Sequence, residues 1–576
     1  MSHEHDEVTT AGSMSRVRRD PDRWIATVVG LVVLVAGVAA PRSHVLLPIE
    51  GVVGRLNLLD LCAMAAGFVA AWRLHAADRL GRTFAAAWGV LFLLIADVIV
   101  IGMSLVANYA LAGGPGTAAA AVTVLVGLQK TLSAIGVLAA GAYIATVARD
   151  RVPTIVGTAS LAALGIGMLQ ALYYVQPFAS VLAPLRRFDL ATNPVHALIS
   201  RPTGLHASAN HYGAMGAVVI MIALAGMRSS RWRLPTLFAG TAIVVLSASR
   251  GAMIAAVGGA ALYALVALRA SKRERAGGSR SWIVAGVIVA AIGLAILAPA
   301  LGGTPLESRL TSAVERVGDE SVYDSGIDGR LEAWRAAAGV IRRTPLGTQV
   351  ASSIVMQGPV DNEFIERWLR GGPACVAAFL VALWWLAFRL RTRDGSPLGP
   401  VLAACVGLLA VSMSPTVVPA HYVFVMLVVG SEVATVDIFG AGRPRALVFA
   451  GGLAAVALLT AASLVWRPPI LAEAALYDRL LSEHTTRLRA YTRVLGAQVD
   501  SRRDGPRTDY PEEVLGFLVE REAPIARPMQ RDALEETAAN LIEAREAANR
   551  DDWEAARTHV DAAGQVISTV RVLRWP

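Results

Sequence analysis

Residues 83–107 read TFAAAWGVLFLLIADVIVIGMSLVA. This stretch of 25 residues holds one ionisable side chain, Asp97. As an α-helix it would reach about 37 Å, enough to cross the roughly 30 Å hydrocarbon layer of a bilayer. A helix that is apolar on every face belongs inside a large core or in lipid. Comparable runs rich in Ala, Val, Leu and Gly recur along the first 470 positions. The predicted spans are 24–41, 56–72, 83–107, 117–147, 152–175, 212–227, 235–249, 251–268, 282–302, 374–388, 398–413, 418–435 and 446–466. The expected fold class is all-α: a polytopic membrane helix bundle of about 13 transmembrane helices.

Composition agrees. The chain is 55% hydrophobic and 17% charged, against about 25% charged in a soluble domain. The net charge of +9 does not point to nucleic acid, because the basic residues sit in short clusters between apolar runs. That is the pattern that orients membrane proteins. Cys62, Cys375 and Cys405 lie in apolar runs at no metal-binding spacing, and they read as small buried side chains. No metal site or cofactor is expected. Residues 1–23 are polar and carry Arg16, Arg18, Arg19 and Arg23, a cytoplasmic tail with no cleavable signal expected.

Alternate connecting segments differ sharply in Lys and Arg. One set, with the N-terminus, holds 22; the short loops of the other set hold 6. The positive-inside rule predicts a cytoplasmic N-terminus and, with thirteen spans, an extracytoplasmic C-terminus. The predicted outer pieces are loop 176–211, loop 303–373 and the tail 467–576. Loop 303–373 carries 8 Arg and 10 acidic residues, and loops of that length usually have a function of their own. In the charged tail, Leu471–Val499 reads as one amphipathic helix, followed by a loop rich in Pro, Arg and Asp. Asp532–Ala548 and Asp552–Thr569 then read as a hairpin, either a tetratricopeptide-like unit or a generic helical cap. A single such hairpin cannot bury a solenoid core.

Several polar residues stand out against this apolar background. Asp97 and Lys130 fall in adjacent antiparallel spans, where a mutual ion pair would lower the cost of each charge. Taken alone, it reads as a structural strut. Arg250 ends an apolar run in Ser-Ala-Ser-Arg-Gly-Ala at the outer boundary, against the basic bias. Arg201 and Arg330 lie in the two outer loops. Singly, each arginine reads as a headgroup anchor or surface ion pair. Together they suit a phosphorylated group, because planar guanidinium forks match phosphate oxygens and stay charged. Asp361 and Asn362 open a helically patterned stretch before an apolar span. They read as a helix cap, with Glu363 and Glu366 well placed in the first turns.

In order, these pieces resemble the O-antigen ligase and polymerase family. The residues that carry the resemblance are Arg201, Gly204 and Asn210; then Ser249, Arg250 and Gly251; then Arg330, Trp334, Pro345 and Gly347; and last Asp361, Asn362 and Gly371. The motifs cover about residues 195–415, and the topology covers 24–466. Ligase-like members place a His where this chain has Asp361, which favours a polymerase-like reading. Thr348 also replaces the usual second Gly after Gly347.

The resemblance implies a GT-C-like bundle with its site in a lateral cavity under the large loop. It implies metal-independent glycosyl transfer on the outer face of the bacterial cytoplasmic membrane. The donor would be a glycan on a polyprenyl diphosphate. Arg250 and Arg330 would stabilise the leaving diphosphate with Arg201, which binds it. Asp361 would be the general base. Asn210, Trp334 and Asn362 would bind or position sugar and loop. Other expected partners are the lipid bilayer and polysaccharide-assembly proteins docked on the tail. The competing readings are a polysaccharide or lipid transporter and a scaffold acting through the tail. No clear internal repeat supports the transporter.

Overall fold

The computed structural model describes residues 19–39, 58–112, 117–173, 178–186, 202–206, 209–228, 230–271, 327–347, 362–390, 396–412, 421–434, 443–465, 470–500, 510–520 and 528–569. Among these residues the regular structure is helical, with no strand. The first group is α1 (Arg19–Ala39), α2 (Leu58–Ala76), α3 (Leu80–Ala86), α4 (Trp88–Ala112), α5 (Thr117–Ala148) and α6 (Arg151–Leu172). The second is α7 (Ala209–Met221), α8 (Arg233–Ser247), α9 (Arg250–Ser271) and α10 (Ile327–Arg343). Then come α11 (Glu363–Phe388), α12 (Leu398–Ser412), α13 (His421–Val433) and α14 (Arg443–Val465). The tail supplies α15 (Ile470–Asp500), α16 (Tyr510–Glu520), α17 (Pro528–Asn549) and α18 (Trp553–Thr569).

Four described helices are long and apolar enough to cross a membrane: Thr131–Ala148, Arg151–Leu172, Ala209–Gly226 and Glu363–Phe388. Shorter apolar helices accompany them. The expected span 282–302 lies outside the described residues. Trp24, Phe68, Trp72, Phe238, Val257 and Phe388 are large apolar side chains left exposed, a surface suited to lipid rather than water. The chain is a multi-pass membrane protein.

Small residues bring these helices together. A Cβ on Gly67 of α2 would fall 2.1 Å from the Gly136 Cα of α5. One on Gly430 of α13 would fall 2.1 Å from the Leu138 carbonyl oxygen. In lipid no hydrophobic force drives helices together, so close backbone approach and dispersion must do it.

Two features differ from the sequence reading. The run 83–107 is not one straight helix: α3 meets α4 at 88°. The bend lets Arg79 and Arg82 remain exposed while α4 enters the core. Helix α16 falls where a loop was expected. Val514 and Leu518, one turn apart, are buried, and Pro511 sits in the first turn, where no N–H is needed.

The tail has its own core. Leu488 and Leu495 of α15, Val514 and Leu518 of α16, Leu534 and Leu541 of α17 and Val560 of α18 all belong to it. Helices α15 and α16 therefore cover the apolar face that the α17–α18 hairpin could not bury alone. Asp551 turns that hairpin with a left-handed backbone, φ 59°.

Candidate active site

One end of the bundle gathers the segments singled out above. The α8–α9 connection is a two-residue turn, Ala248–Ser249, with Ala248 left-handed at φ 46°. The Ser249 Oγ accepts from the Ala252 N–H at 3.4 Å, so Ser249 caps α9 and Arg250 opens it. Helix α7 starts against this turn. A Cβ on Gly213 would lie 2.5 Å from the Ser247 Oγ and 2.9 Å from the Ser249 Cβ. Asn210, in the first turn of α7, thus shares this end with the backbone of Arg250. The end of α12 arrives too: a Cβ on Gly251 would lie 2.6 Å from the Ser412 Oγ.

The segment after Arg201 is held by Gln170 of α6. The Gln170 Oε1 accepts from the Thr203 and Gly204 N–H groups, both at 2.8 Å. Its Nε2 donates to the Gly204 carbonyl at 2.9 Å. Gly204 is left-handed, φ +57°, and sits on Tyr212, whose hydroxyl donates to the Ala163 carbonyl at 2.9 Å. His206 is fully buried, its ring 5.7 Å from that of Tyr212. The sequence reading missed Gln170. Its signal was a carboxamide inside an apolar run, which must find partners there.

Helix α11 is an elbow. Asn362 caps it, its Oδ1 accepting from the Phe364 N–H at 3.0 Å and the Ile365 N–H at 3.2 Å. The helix breaks at Gly371 (φ −133°) and Gly372 (φ 64°), and Pro373 begins the second limb. In a straight helix Phe364 and Phe379 would stand about 22 Å apart. Their rings meet edge to face at 5.3 Å, so the break bends the first limb toward the second. Asn362, Glu363 and Glu366 are buried.

The large loop docks on the elbow. The Trp368 indole N–H donates to the Pro345 carbonyl at 3.0 Å. A Cβ on Gly347, φ +95°, would fall 2.4 Å from the Gly372 nitrogen. Only glycine fits at either side of that contact. Trp334 packs against a small core of Ala337, Val340 and Leu369 that ties α10 to the first limb.

The limb is densely charged. Arg367 reaches Asp97 of α4 at 2.8 Å and Glu363 at 2.6 Å, and Arg370 reaches Glu366 at 3.1 Å. The Arg367 guanidinium also lies 4.8 Å from the Phe379 ring centre. Asp97 therefore meets a residue 270 positions away. The side chain of Lys130, its expected partner, lies outside the described residues. So do Arg201 and Asp361 entirely, and the side chains of Arg250 and Arg330, whose backbones open α9 and α10.

The far end of the bundle carries a different set of charges. Arg149 pairs with Glu432 at 3.3 Å, and Arg73 with Asp22 at 3.5 Å. The Tyr143 hydroxyl donates to Asp22.

Residues 235–373 match a family model described as O-antigen ligase. The matched segment runs from α8 to the elbow of α11, so it contains Ser249, Arg250, Arg330, Trp334, Gly347, Asp361 and Asn362. No curated protein and no solved structure matches the chain.

Proposed function

From the match at residues 235–373, which supports the O-antigen ligase and polymerase family, we propose that this chain is a membrane glycosyltransferase of cell-surface polysaccharide assembly. The donor is a glycan on a polyprenyl diphosphate, and the acceptor is a sugar hydroxyl on a second lipid-linked glycan. The bundle crosses the cytoplasmic membrane thirteen times, with the N-terminus inside and the tail outside. The observation that carries the reading is the gathering of the matched motifs at one end of the bundle, where loop residues 345–347 dock on the broken helix that Asn362 caps.

In the reaction the acceptor oxygen bonds to the anomeric carbon of the donor. The carbon–oxygen bond to the diphosphate breaks, and its electron pair leaves with the lipid diphosphate. Asp361 takes the acceptor's proton, a role worth about 10²–10⁴-fold. Arg201, Arg250 and Arg330 oppose the charge that builds on the diphosphate, which does the electrostatic work without a metal. Asn210, Trp334 and Asn362 position sugar and loop.

Purified protein in lipid, given a diphosphate-linked oligosaccharide, is expected to form longer glycan. Arg250→Ala and Asp361→Ala should abolish this without loss of expression. Full activity in both would remove the mechanism. The description of the matched family favours a second reading, a ligase that moves finished glycan to a surface anchor. Asp361, standing where ligase-like members carry His, favours polymerisation. A deletion strain that accumulates single repeats on the carrier indicates a polymerase; full-length polymer stranded there indicates a ligase.

A further inference from the structure

The first limb of α11 has a mechanical problem. The Gly371–Gly372 break uncouples it from the rest of its own helix. Its internal pairs, Glu363–Arg367 and Glu366–Arg370, stiffen the limb but fix nothing relative to the bundle. Asp97 is different, because it comes from α4. Its 2.8 Å contact to Arg367 joins the limb to a helix that is continuous through the core. The side chains of Arg367, Asp97 and Glu363 are only 12%, 15% and 10% exposed. Solvent screening at such a pair is weak, so its geometry is held firmly. Phe379 covers the guanidinium from beyond the break.

We propose that Arg367, locked by Asp97, is a positioning residue: it sets the place of the limb whose cap, Asn362, directly follows Asp361 in the sequence. This rests on the glycosyltransferase reading for its catalytic meaning but not for its geometry. The aspartate inside the α4 span is then explained by the limb it anchors. Arg367→Lys keeps the charge but loses the planar fork that serves two carboxylates at once, so it should be impaired as well.

The test uses the full chain in lipid vesicles with a diphosphate-linked oligosaccharide donor. Arg367→Gln and Asp97→Asn are each expected to lower kcat per folded molecule by about 10²-fold, the usual effect of misplacing a reacting group by about 1 Å. Donor KM should stay near the wild-type value. The exchange Asp97→Arg with Arg367→Asp should recover much of the loss, because an arginine on α4 again faces two carboxylates on the limb.

A second readout needs no activity. A thiol introduced by Asp361→Cys is titrated with a membrane-impermeant maleimide. Cys62 is replaced by alanine, whereas Cys375 and Cys405 are buried and can stay. Its labelling rate should change severalfold when Arg367→Gln is added and return in the charge exchange. Single variants with wild-type kcat and unchanged labelling would overturn the proposal. So would a loss confined to the amount of folded protein. Absence of transfer by the wild-type chain would sink the glycosyltransferase reading instead, full transfer by Asp361→Ala would remove only Asp361 as the base, and in either case the labelling rates alone would then decide the positioning role.

Discussion

Gln170 sits in an apolar helix with a carboxamide that brings two donor hydrogens and an acceptor oxygen. It satisfies them on the backbone of Thr203 and Gly204, and so pins the chain two residues after Arg201. Gln170→Leu keeps the volume and removes the partners. Two buried N–H groups are then orphaned, at about 1–3 kcal/mol each. The solubilised protein should melt several degrees lower. If this segment presents Arg201 to the donor diphosphate, donor KM should rise as well, and both are measurable on one preparation. An unchanged melting temperature would mean that the segment is held by something else. Asp97 teaches a related lesson about single residues. The sequence marked it as an intramembrane charge in need of a partner, and the adjacent antiparallel span suggested Lys130, whose side chain lies outside the described residues. The partner found among the described residues is Arg367, brought near by the elbow at Gly371–Gly372.

Among elements, the broken helix α11 is the most informative. Gly372 is left-handed, and a Cβ there would fall 2.3 Å from the Leu346 carbonyl oxygen. Gly372→Ala therefore adds about 1–2 kcal/mol of backbone strain to a clash with a loop backbone that has little room to move. It should destabilise the protein and detach the 345–347 segment, seen as faster hydrogen exchange there. Gly339 in α10 is the control: a Cβ would meet nothing within 4 Å, and it lies inside a helix. Gly339→Ala should stabilise by about 0.5–1 kcal/mol. Equal effects at the two glycines would contradict the docking geometry. Helix existence was legible in the sequence because apolar runs and their basic boundaries are local signals. The 88° bend at α3–α4, the direction in which the elbow turns and helix α16 were not. Each depends on what surrounds the segment: solvent at Arg79 and Arg82, the Leu346 backbone, and the apolar faces of α15, α17 and α18.

On the scale of the whole molecule, the tail buries a core separate from that of the bundle. It therefore carries its own stability, with its own dependence on pH. His484 of α15 lies between α15 and α16. Its Nδ1 is 2.8 Å from the Tyr510 hydroxyl, and its ring is 4.5 Å from Phe517. Burial lowers its pKa from 6.5; Glu483 and Glu513 oppose that and Arg487 adds to it. Burial also pushes Tyr510 up to about 12, so the phenol stays protonated throughout. A histidine depressed in the folded state contributes nothing unfavourable above its unfolded pKa, near 6.5. As pH falls below that, the unfolded chain binds a proton that the folded chain resists, and the stability of the tail declines until the folded pKa is passed. Between pH 7 and pH 5, the protection factors of amides in α15 and α16, taken relative to the intrinsic exchange rate at each pH, should therefore fall in the full chain, while those in α5 and α7 hold. His484→Gln should flatten that dependence, because glutamine can still meet the Tyr510 hydroxyl without titrating. If protection in α15 keeps the same pH slope in His484→Gln, carboxylates of the tail govern its acid response instead of the histidine at the α15–α16 contact.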